Sequence, residues 1–266
     1  QRRLPELMTD MTASPVQADL PLVRRLEAVG FRAWPAASVV YDGSWQVRLT
    51  GSHPSKRLNC IVPLDPSDYR DMDLRLSKAR KRFADYGRSL VVRETPLAPP
   101  HLIRHLEDDG WQMFETADVM IGDLAHLPLP PTLGHLPSHD IGRFVDACIA
   151  VGQDDAALKP ALAEILSSIK PQSGFFIKES PRHGAVAVAL CVQDNDLAGV
   201  MSFAVSQTVR RQGIGSEILA SALRWARVSG ARSAWLQVEA DNEPAIALYR
   251  QFGFRKVYEY RYWRKG

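Results

Sequence analysis

The sequence has few cysteines, no long apolar run and almost no excess of charge. Its three cysteines, Cys60, Cys148 and Cys191, lie far apart and form no C-x-x-C pair. This pattern argues against a disulfide framework and a zinc site, and it favours the reducing cytoplasm. The longest apolar run, residues 185–192, is too short to cross a membrane. A net charge of +3 provides no strongly basic face for nucleic acid. We therefore expect no metal, no membrane and no nucleic acid among the partners.

The composition is that of a globular protein, with 45% hydrophobic and 24% charged residues in a chain of 266. That length indicates two domains or one large one. A stretch near the middle, with prolines at 128, 130, 131 and 137, cannot continue as a helix and is typical of a semi-rigid linker. We therefore predict a first domain at 1–124, a linker at 125–139 and a second domain at 140–266.

Hydrophobic periodicity and turn residues predict helices and strands in a similar order in both halves. In the first half we expect helices at 20–29, 71–86 and 101–108, a hairpin of 37–41 and 44–49, and strands at 57–63, 89–93 and 112–121. In the second half we expect helices at 141–151, 156–170, 216–228 and 244–251, and strands at 175–179, 185–192, 197–205, 234–238 and 254–263. The fold class that follows is α/β, with an α+β mixed sheet.

The two halves have the pattern of a diverged internal repeat. Residues 101–111 correspond to residues 244–254, and both segments run from a helix through a glycine and an aromatic residue into a strand. Units of this kind are common in proteins, so the local match alone is weak. The similar order of elements around both segments favours repetition.

A turn with two glycines, Arg210-Arg211-Gln212-Gly213-Ile214-Gly215-Ser216, lies between a predicted strand and a predicted helix. Glycines let the backbone turn tightly with its N–H groups facing one space, and a helix N-terminus adds further free N–H groups. The segment is therefore either a phosphate-binding turn or a plain connection. It is not a P-loop, and Ile218 occupies the position of the third glycine of a dinucleotide fingerprint.

A second motif follows the next strand, with the pattern Asn242-x-x-Ala245-x-x-Leu248-Tyr249-x-x-x-Gly253-Phe254. Together with Arg210-x-x-Gly213-x-Gly215 before it, this motif resembles the GNAT superfamily of acetyl-CoA-dependent N-acetyltransferases. The resemblance is specific over residues 197–254 and extends to the first half as a degenerate copy of the same fold. It implies two tandem GNAT-like domains, of which the second is catalytic. Gln207 stands where many members have proline.

The resemblance also implies a role for each matching residue. The backbone of Phe203, Ala204 and Val205 would pair with the pantetheine arm of acetyl-CoA like an added strand. Asn242 would hydrogen-bond the same arm, and Tyr249 would protonate the departing thiolate. The pyrophosphate would be held by the whole turn, which consists of Arg210, Arg211, Gln212, Gly213, Ile214, Gly215 and Ser216.

The general base is less clear, because the strand at 197–205 contains no carboxylate. Glu239, at the end of the following strand, is the best candidate and would act through a water. The alternative for Glu239 is an ordinary solvated charge at a strand end. We interpret Asp241 as the residue that caps the helix beginning at Pro244.

The first half lacks the cofactor motif. The repeat aligns Gly213 and Gly215 with Arg70 and Met72, and it aligns Tyr249 with Leu106. We therefore expect the first half to bind no acetyl-CoA, and instead to complete the fold, line the amine pocket or sense a ligand. The candidates for such a pocket are Trp34, Tyr41, Trp45 and Arg48, with core packing as the alternative for the tryptophans.

The function implied is transfer of acetyl from acetyl-CoA to a primary amine, by direct attack in a ternary complex. The acceptor is a small molecule, an amino acid or a peptide, and the protein is a monomer or a homodimer. Two alternatives stay open: a non-catalytic sensor of acyl-CoA or a small ligand, and a scaffold that uses the fold without chemistry.

Overall fold

The computed structural model describes residues 18–129 and 134–266. Two prolines of the predicted linker, Pro130 and Pro131, lie outside the described residues. On either side of that gap the chain is held against the rest of the protein. Leu127 is buried, and Ser138 exchanges backbone hydrogen bonds with Phe175 at 2.7 and 3.0 Å.

From residue 18 onward, the first half contains three helices and five strands in the predicted order. They are α1 (Leu20–Ala33), β1 (Ser38–Asp42), β2 (Trp45–Leu49), β3 (Cys60–Pro63), α2 (Met72–Asp85), β4 (Val91–Glu94), α3 (Pro100–Asp108) and β5 (Trp111–Asp123). The predicted strand at 57–63 begins late, because Lys56–Leu58 forms a 3-10 turn.

The described part of the second half contains four helices and five strands. They are α4 (Ile141–Ala150), α5 (Lys159–Ser168), β6 (Gln172–Ser180), β7 (Gly184–Asp194), β8 (Leu197–Val205), α6 (Ile214–Val228), β9 (Ser233–Glu239), α7 (Glu243–Gln251) and β10 (Arg255–Lys265). The helix predicted at 156–170 divides into a short 3-10 turn and α5, which has Pro160 in its first turn.

All ten strands form one mixed sheet in the order β1-β2-β3-β4-β10-β5-β9-β8-β7-β6. The pairs β3–β4 and β8–β9 are parallel, and the other neighbours are antiparallel. The predicted α/β fold with a mixed sheet is confirmed. One face of the sheet packs against α1, α4 and α5, and the other against α2, α3, α6 and α7.

The two halves exchange their last strands in the centre of this sheet. The strand β5 of the first half lies beside β9, and β10 of the second half lies beside β4. The two exchanged strands also pair with each other along ten residue positions. The halves therefore share one continuous sheet, and the division that we predicted near residue 124 stays a prediction.

A buried ion pair joins three elements across this exchange. Glu27 of α1 pairs with Arg93 of β4, whose Nη2 donates to Glu27 Oε1 at 3.0 Å. Tyr258 of β10 donates its hydroxyl to the same oxygen at 2.6 Å. Burial is tolerable for these charges because each has a charged or hydrogen-bonding partner.

Candidate active site

The strands β8 and β9 diverge part-way along their length. Their parallel pairing runs from Leu197 with Ser233 to Val200 with Leu236 and ends there. Beyond Val200, β8 stays paired with β7 on its other side as far as Val205. Among the described residues, the edge of β8 that faces β9 therefore has backbone groups with no strand partner. Such an edge can accept an extended ligand as an added strand.

A bulge marks the point of divergence. The register between β7 and β8 shifts between Val188 and Leu190, opposite Ser202. Ser202 has a φ of 46°, which is unusual for a residue with a side chain. Bulges bend a strand and redirect its side chains, so this one turns the end of β8 away from β9.

A cleft of about 540 Å³ opens at the divergence, and both halves of the chain line it. Its floor is the face of β9, β5 and β10, where Glu239, Ala117 and Tyr260 lie side by side. Glu115 and Tyr262 form the adjacent row. Because β5 and β10 are the exchanged strands, the floor requires both halves.

Tyr249 projects from α7 into this cleft and is 5% exposed. Its ring lies 6.1 Å from the rings of Phe203 and Phe254, measured between centroids. Within the described residues its hydroxyl has no hydrogen-bond partner, and burial raises the pKa of Tyr249. The side chain is therefore a neutral hydroxyl available to a ligand.

Asn242 also lines the cleft, and it caps α7. Its side chain accepts a hydrogen bond from the backbone N–H of Ala245 at 3.3 Å. The interpretation of Asp241 as the cap was therefore wrong: Asn242 is one position closer to the helix and has the side-chain geometry of an N-cap. The cap uses the side-chain oxygen Oδ1 of Asn242. The side-chain NH₂ group therefore stays available to donate hydrogen bonds.

Two carboxylates face the cleft from neighbouring strands. Glu239 is exposed at the end of β9, and its carboxylate has no ion-pair or hydrogen-bond partner in the described ranges. Glu115, on β5, forms an ion pair with Lys56 at 2.7 Å. Sequence reasoning found Glu239 but missed Glu115, which reaches the cleft only because β5 is exchanged.

The turn with two glycines has the geometry of an anion site. Gly213 adopts a φ of 79°, which other residues reach only with strain, and α6 begins at the next residue. The backbone N–H groups of Ile214, Gly215 and Ser216 have no acceptor among the residues that the structure describes. Free N–H groups at a helix N-terminus attract phosphate.

This turn packs next to the end of β8 but does not line the cleft itself. A Cβ at Gly215 would lie 3.5 Å from both Phe203 Cζ and Val205 Cγ2, and Phe203 is a cleft residue. Arg210 is exposed and donates its Nε to the Val205 carbonyl at 3.3 Å. The cleft lining includes Phe203, Glu239, Asn242 and Tyr249, whereas Ala204, Val205, Arg210, Arg211, Gln212, Gly213, Ile214, Gly215 and Ser216 lie outside it.

The first half contributes a wall that sequence reasoning largely missed. Residues 53–57, on the segment between β2 and β3, line the cleft together with Trp34. Trp34 was among our pocket candidates, but the other three lie elsewhere. The Trp45 ring packs against Arg75, with 3.8 Å between its centroid and the guanidinium carbon Cζ. Tyr41 is exposed on the edge strand, and Arg48 is buried behind the wall. The segment 53–57 carries no motif that would have identified it.

No group of histidine, cysteine or acidic side chains in the ranges 18–129 and 134–266 could hold a metal ion. Across the same described ranges, no helix has the length and apolar character needed to span a membrane.

Comparisons with known proteins agree with the geometry. Residues 149–254 match the model of the Acetyltransferase (GNAT) family. An uncharacterised N-acetyltransferase of Bacillus subtilis (strain 168) is 26% identical over 252 residues, covering 90% of this chain and 97% of that protein. A solved GCN5-related N-acetyltransferase from Kribbella flavida has a TM-score of 0.68 at 19% identity, covering 93% of this chain and 96% of its own.

A tandem GNAT protein from the clavulanic acid biosynthesis pathway also matches, with a TM-score of 0.58 at 12% identity over 90% of this chain and 86% of its own. At such identities, structural likeness establishes the fold alone. Residues 149–254 therefore match the GNAT acetyltransferase family, and the fold over both halves is that of solved GNAT proteins.

Proposed function

We propose that this protein transfers acetyl from acetyl-CoA to a primary amine in the cleft between β8 and β9. The observation that carries the proposal is the divergence of these strands, which leaves an unpaired strand edge leading to the N-terminus of α6. The family match over residues 149–254 makes acyl transfer the expected class of reaction and acetyl-CoA the expected donor.

Acetyl-CoA fits the unpaired end of β8 and the turn with two glycines. The pantetheine arm carries two amides, which would pair with the free backbone groups of Phe203, Ala204 and Val205. Its pyrophosphate would be bound by the N–H groups of the turn, chiefly at Gly213, with charge from the two arginines before it. Asn242 would donate its free amide hydrogens to the arm. The thioester would then lie beside Phe203 and Tyr249.

The chemistry requires removal of one proton and delivery of another. The amine nitrogen attacks the thioester carbonyl carbon, the carbon–sulfur bond breaks, and CoA leaves as a thiolate that takes up a proton. Glu239 would accept the amine proton through a water, since its carboxylate has no partner within the described residues. Tyr249 would donate a hydrogen bond, and then a proton, to the departing sulfur.

A second candidate is a sensor that binds acyl-CoA without turnover. One observation favours it: burial raises the pKa of Tyr249, which makes its hydroxyl a weaker acid. A hydroxyl of this kind still stabilises a developing thiolate by hydrogen bonding, so the observation reduces the expected rate rather than excluding transfer.

Two measurements separate these functions. Calorimetry with CoA tests the donor site, and we expect micromolar affinity, about −7 to −8 kcal/mol. Release of the CoA thiol from acetyl-CoA is then followed with amino acids, polyamines, aminoglycosides and short peptides. Amine-dependent release supports the transferase. CoA binding without release by any acceptor supports the sensor, and absence of CoA binding contradicts both.

A further inference from the structure

We propose that the first-half wall of the cleft binds a carboxylate, so that the acceptor is a free amino acid or a similar small amino carboxylate. The wall consists of residues 53–57, and within it His53 and Arg57 would bind the carboxylate. The inference rests on the proposed function, because it names the acceptor of that same cleft.

His53 lines the cleft and holds a buried hydrogen-bond donor in a fixed orientation. Its side chain is buried, with the residue 6% exposed, and its Nδ1 accepts a hydrogen bond from the Ser55 backbone N–H at 3.1 Å. In the neutral ring the hydrogen must then lie on Nε2. This buried Nε2 has no partner in the described part of the chain. A buried donor without a partner is costly, so a ligand atom that accepted a hydrogen bond from Nε2 would remove this cost.

The charge state of His53 suits this role. Burial lowers the pKa of His53 below its ordinary value of 6.5, against the opposing effect of Asp154. The ring is therefore neutral at pH 7 and acts as a dipolar donor rather than as a base. The formal positive charge must come from another residue.

Arg57 supplies that charge. Its side chain is half-buried and lines the cleft, and its guanidinium makes no ion pair or hydrogen bond within 18–129 and 134–266. Its backbone carbonyl accepts a hydrogen bond from Arg48 Nε at 3.0 Å, which fixes the main chain at this position. A guanidinium can bind a carboxylate through two parallel hydrogen bonds.

No carboxylate of the described residues forms an ion pair with Arg57, and the neighbouring cations do not change this. Lys56, the neighbouring cation, is paired with Glu115 at 2.7 Å. Arg48 lies buried behind the wall, and it donates to neutral oxygens only, those of Arg57, Gln46 and Trp34. A buried guanidinium without a carboxylate favours an anion nearby. A ligand carboxylate on Arg57 would satisfy this preference.

The cleft also contains the opposite charge that an amino acid requires. Asp154, on the loop after α4, lines it from the second-half side. Burial raises the pKa of Asp154, so that its carboxylate gains from a cationic partner. A ligand with both an ammonium and a carboxylate suits a cleft that presents both signs, whereas a polyamine would place a cation against Arg57.

The test compares acceptors that differ only in the carboxylate. Amino acids and their primary amides are assayed in pairs for thiol release from acetyl-CoA. The amide has the less basic amine and thus more of the reactive neutral form, so it would be the better acceptor if the carboxylate were not bound. We expect the amide to have a kcat/KM about 10–100-fold lower than the acid, as for loss of a charge-assisted pair.

Matched variants assign the effect to the wall. Arg57→Ala should raise the KM for the amino acid about 10–100-fold and leave the amide unchanged, while Arg57→Lys should recover part of the loss. His53→Asn keeps an acceptor for the Ser55 N–H and removes the Nε2 donor, and should raise the KM about 5–10-fold. Arg104→Ala, on the exposed surface of α3, is the control and should have no effect.

The outcomes distinguish this inference from the proposed function. Equal rates for acids and amides, or equal losses for both in Arg57→Ala, would overturn the carboxylate site while the transferase stands. If no acceptor is turned over, calorimetry of amino acids against the CoA-bound protein decides. Binding that Arg57→Ala abolishes supports the site without transfer, and absence of amino-acid binding contradicts it.

Discussion

The two halves build the same strand-to-helix turn and place opposite charges in it. In the second half, Gly213 precedes α6 with a φ of 79°, and Arg210 and Arg211 stand before it. In the first half, Asp71 precedes α2 with a φ of 51°, and Asp68 stands before it. The left-handed conformation at the helix start is thus retained in both halves, whereas the charge that would attract a phosphate is reversed in the first.

The first-half turn contains an anion of its own. Asp68 accepts hydrogen bonds from the Ser44 backbone N–H at 2.8 Å, the Ser44 hydroxyl at 2.7 Å and Arg75 Nη1 at 2.9 Å. Burial alone would raise the pKa of Asp68, but the bonds from Arg75 and Ser44 outweigh it and lower the pKa to about 2. A fixed carboxylate near a helix start stabilises the fold and repels a pyrophosphate.

The first half, which we predict to bind no acetyl-CoA, still contributes to the candidate site. It supplies β5 to the cleft floor and residues 53–57 to the cleft wall. In a single sheet with exchanged strands, one half can specialise in the donor and the other in the acceptor. If the proposed function holds, the comparison teaches that a repeat without its own cofactor motif can form part of the site of its neighbour.

The largest expected effect concerns the link between the halves. In Glu27→Ala, Arg93 stays buried without its carboxylate and Tyr258 loses an acceptor. Breaking a buried pair in this way costs about 3–5 kcal/mol of unfolding free energy. Urea denaturation measures this change, with Glu107→Ala, on exposed α3, as the control. A loss below about 1 kcal/mol would mean that the halves do not depend on this link.

Prediction from sequence succeeded where the signal was local. The strand at 197–205 matches β8 at both ends, because apolar residues bounded by an Asp-Asn-Asp turn specify it. The placement of β5 beside β9 was beyond the sequence, because alternating apolar faces do not say which antiparallel partner a strand takes. The sequence did not indicate His53 for a related reason. This single histidine belongs to no motif, and it lines the cleft only because strands distant in sequence come together there.

The second-largest effect concerns Tyr249, and it separates a role in catalysis from a role in CoA binding. Tyr249→Phe removes the hydroxyl that faces the cleft and keeps the ring, which makes it resemble Leu106, the corresponding apolar residue of α3. General acids contribute about 10²–10⁴-fold, and the raised pKa of Tyr249 favours the lower end of that range. We expect kcat to fall about 10²-fold with CoA affinity unchanged. Steady-state kinetics and calorimetry measure the two, and a fall of only a few fold would leave Tyr249 a packing residue.

The third effect concerns the turn at Gly213, and it separates the loss of CoA affinity from the loss of stability that backbone strain causes. Gly213 and Gly110 have φ values of 79° and 75°, and a Cβ at either would meet no described atom within 4 Å. Gly213→Ala and Gly110→Ala should therefore each cost about 1–2 kcal/mol of stability. Only Gly213→Ala should weaken CoA binding, by about 10-fold, because in the proposed function only that turn would hold the pyrophosphate. Equal CoA affinity in the two variants would remove the turn from the donor site.

The smallest effect tests whether the first-half turn has become a structural element. Asp68 has a folded-state pKa of about 2, below the ordinary value of 3.8, so its ionised form stabilises the folded state. The contribution is complete above about pH 5 and is lost progressively as the pH falls through the folded-state pKa of about 2. Asp68→Asn should thus cost about 1 kcal/mol at pH 7, less than the full shift implies because the group is partly solvated. The difference from the unmodified protein should shrink steadily as the pH falls from about 5 toward the folded-state pKa. Urea titrations at several pH values measure it, with Asp85→Asn, an exposed acid of α2, as the control. A pH-independent difference would assign the loss to packing, and gain of CoA binding in Asp68→Asn would show that the repelling charge alone had closed the first-half site.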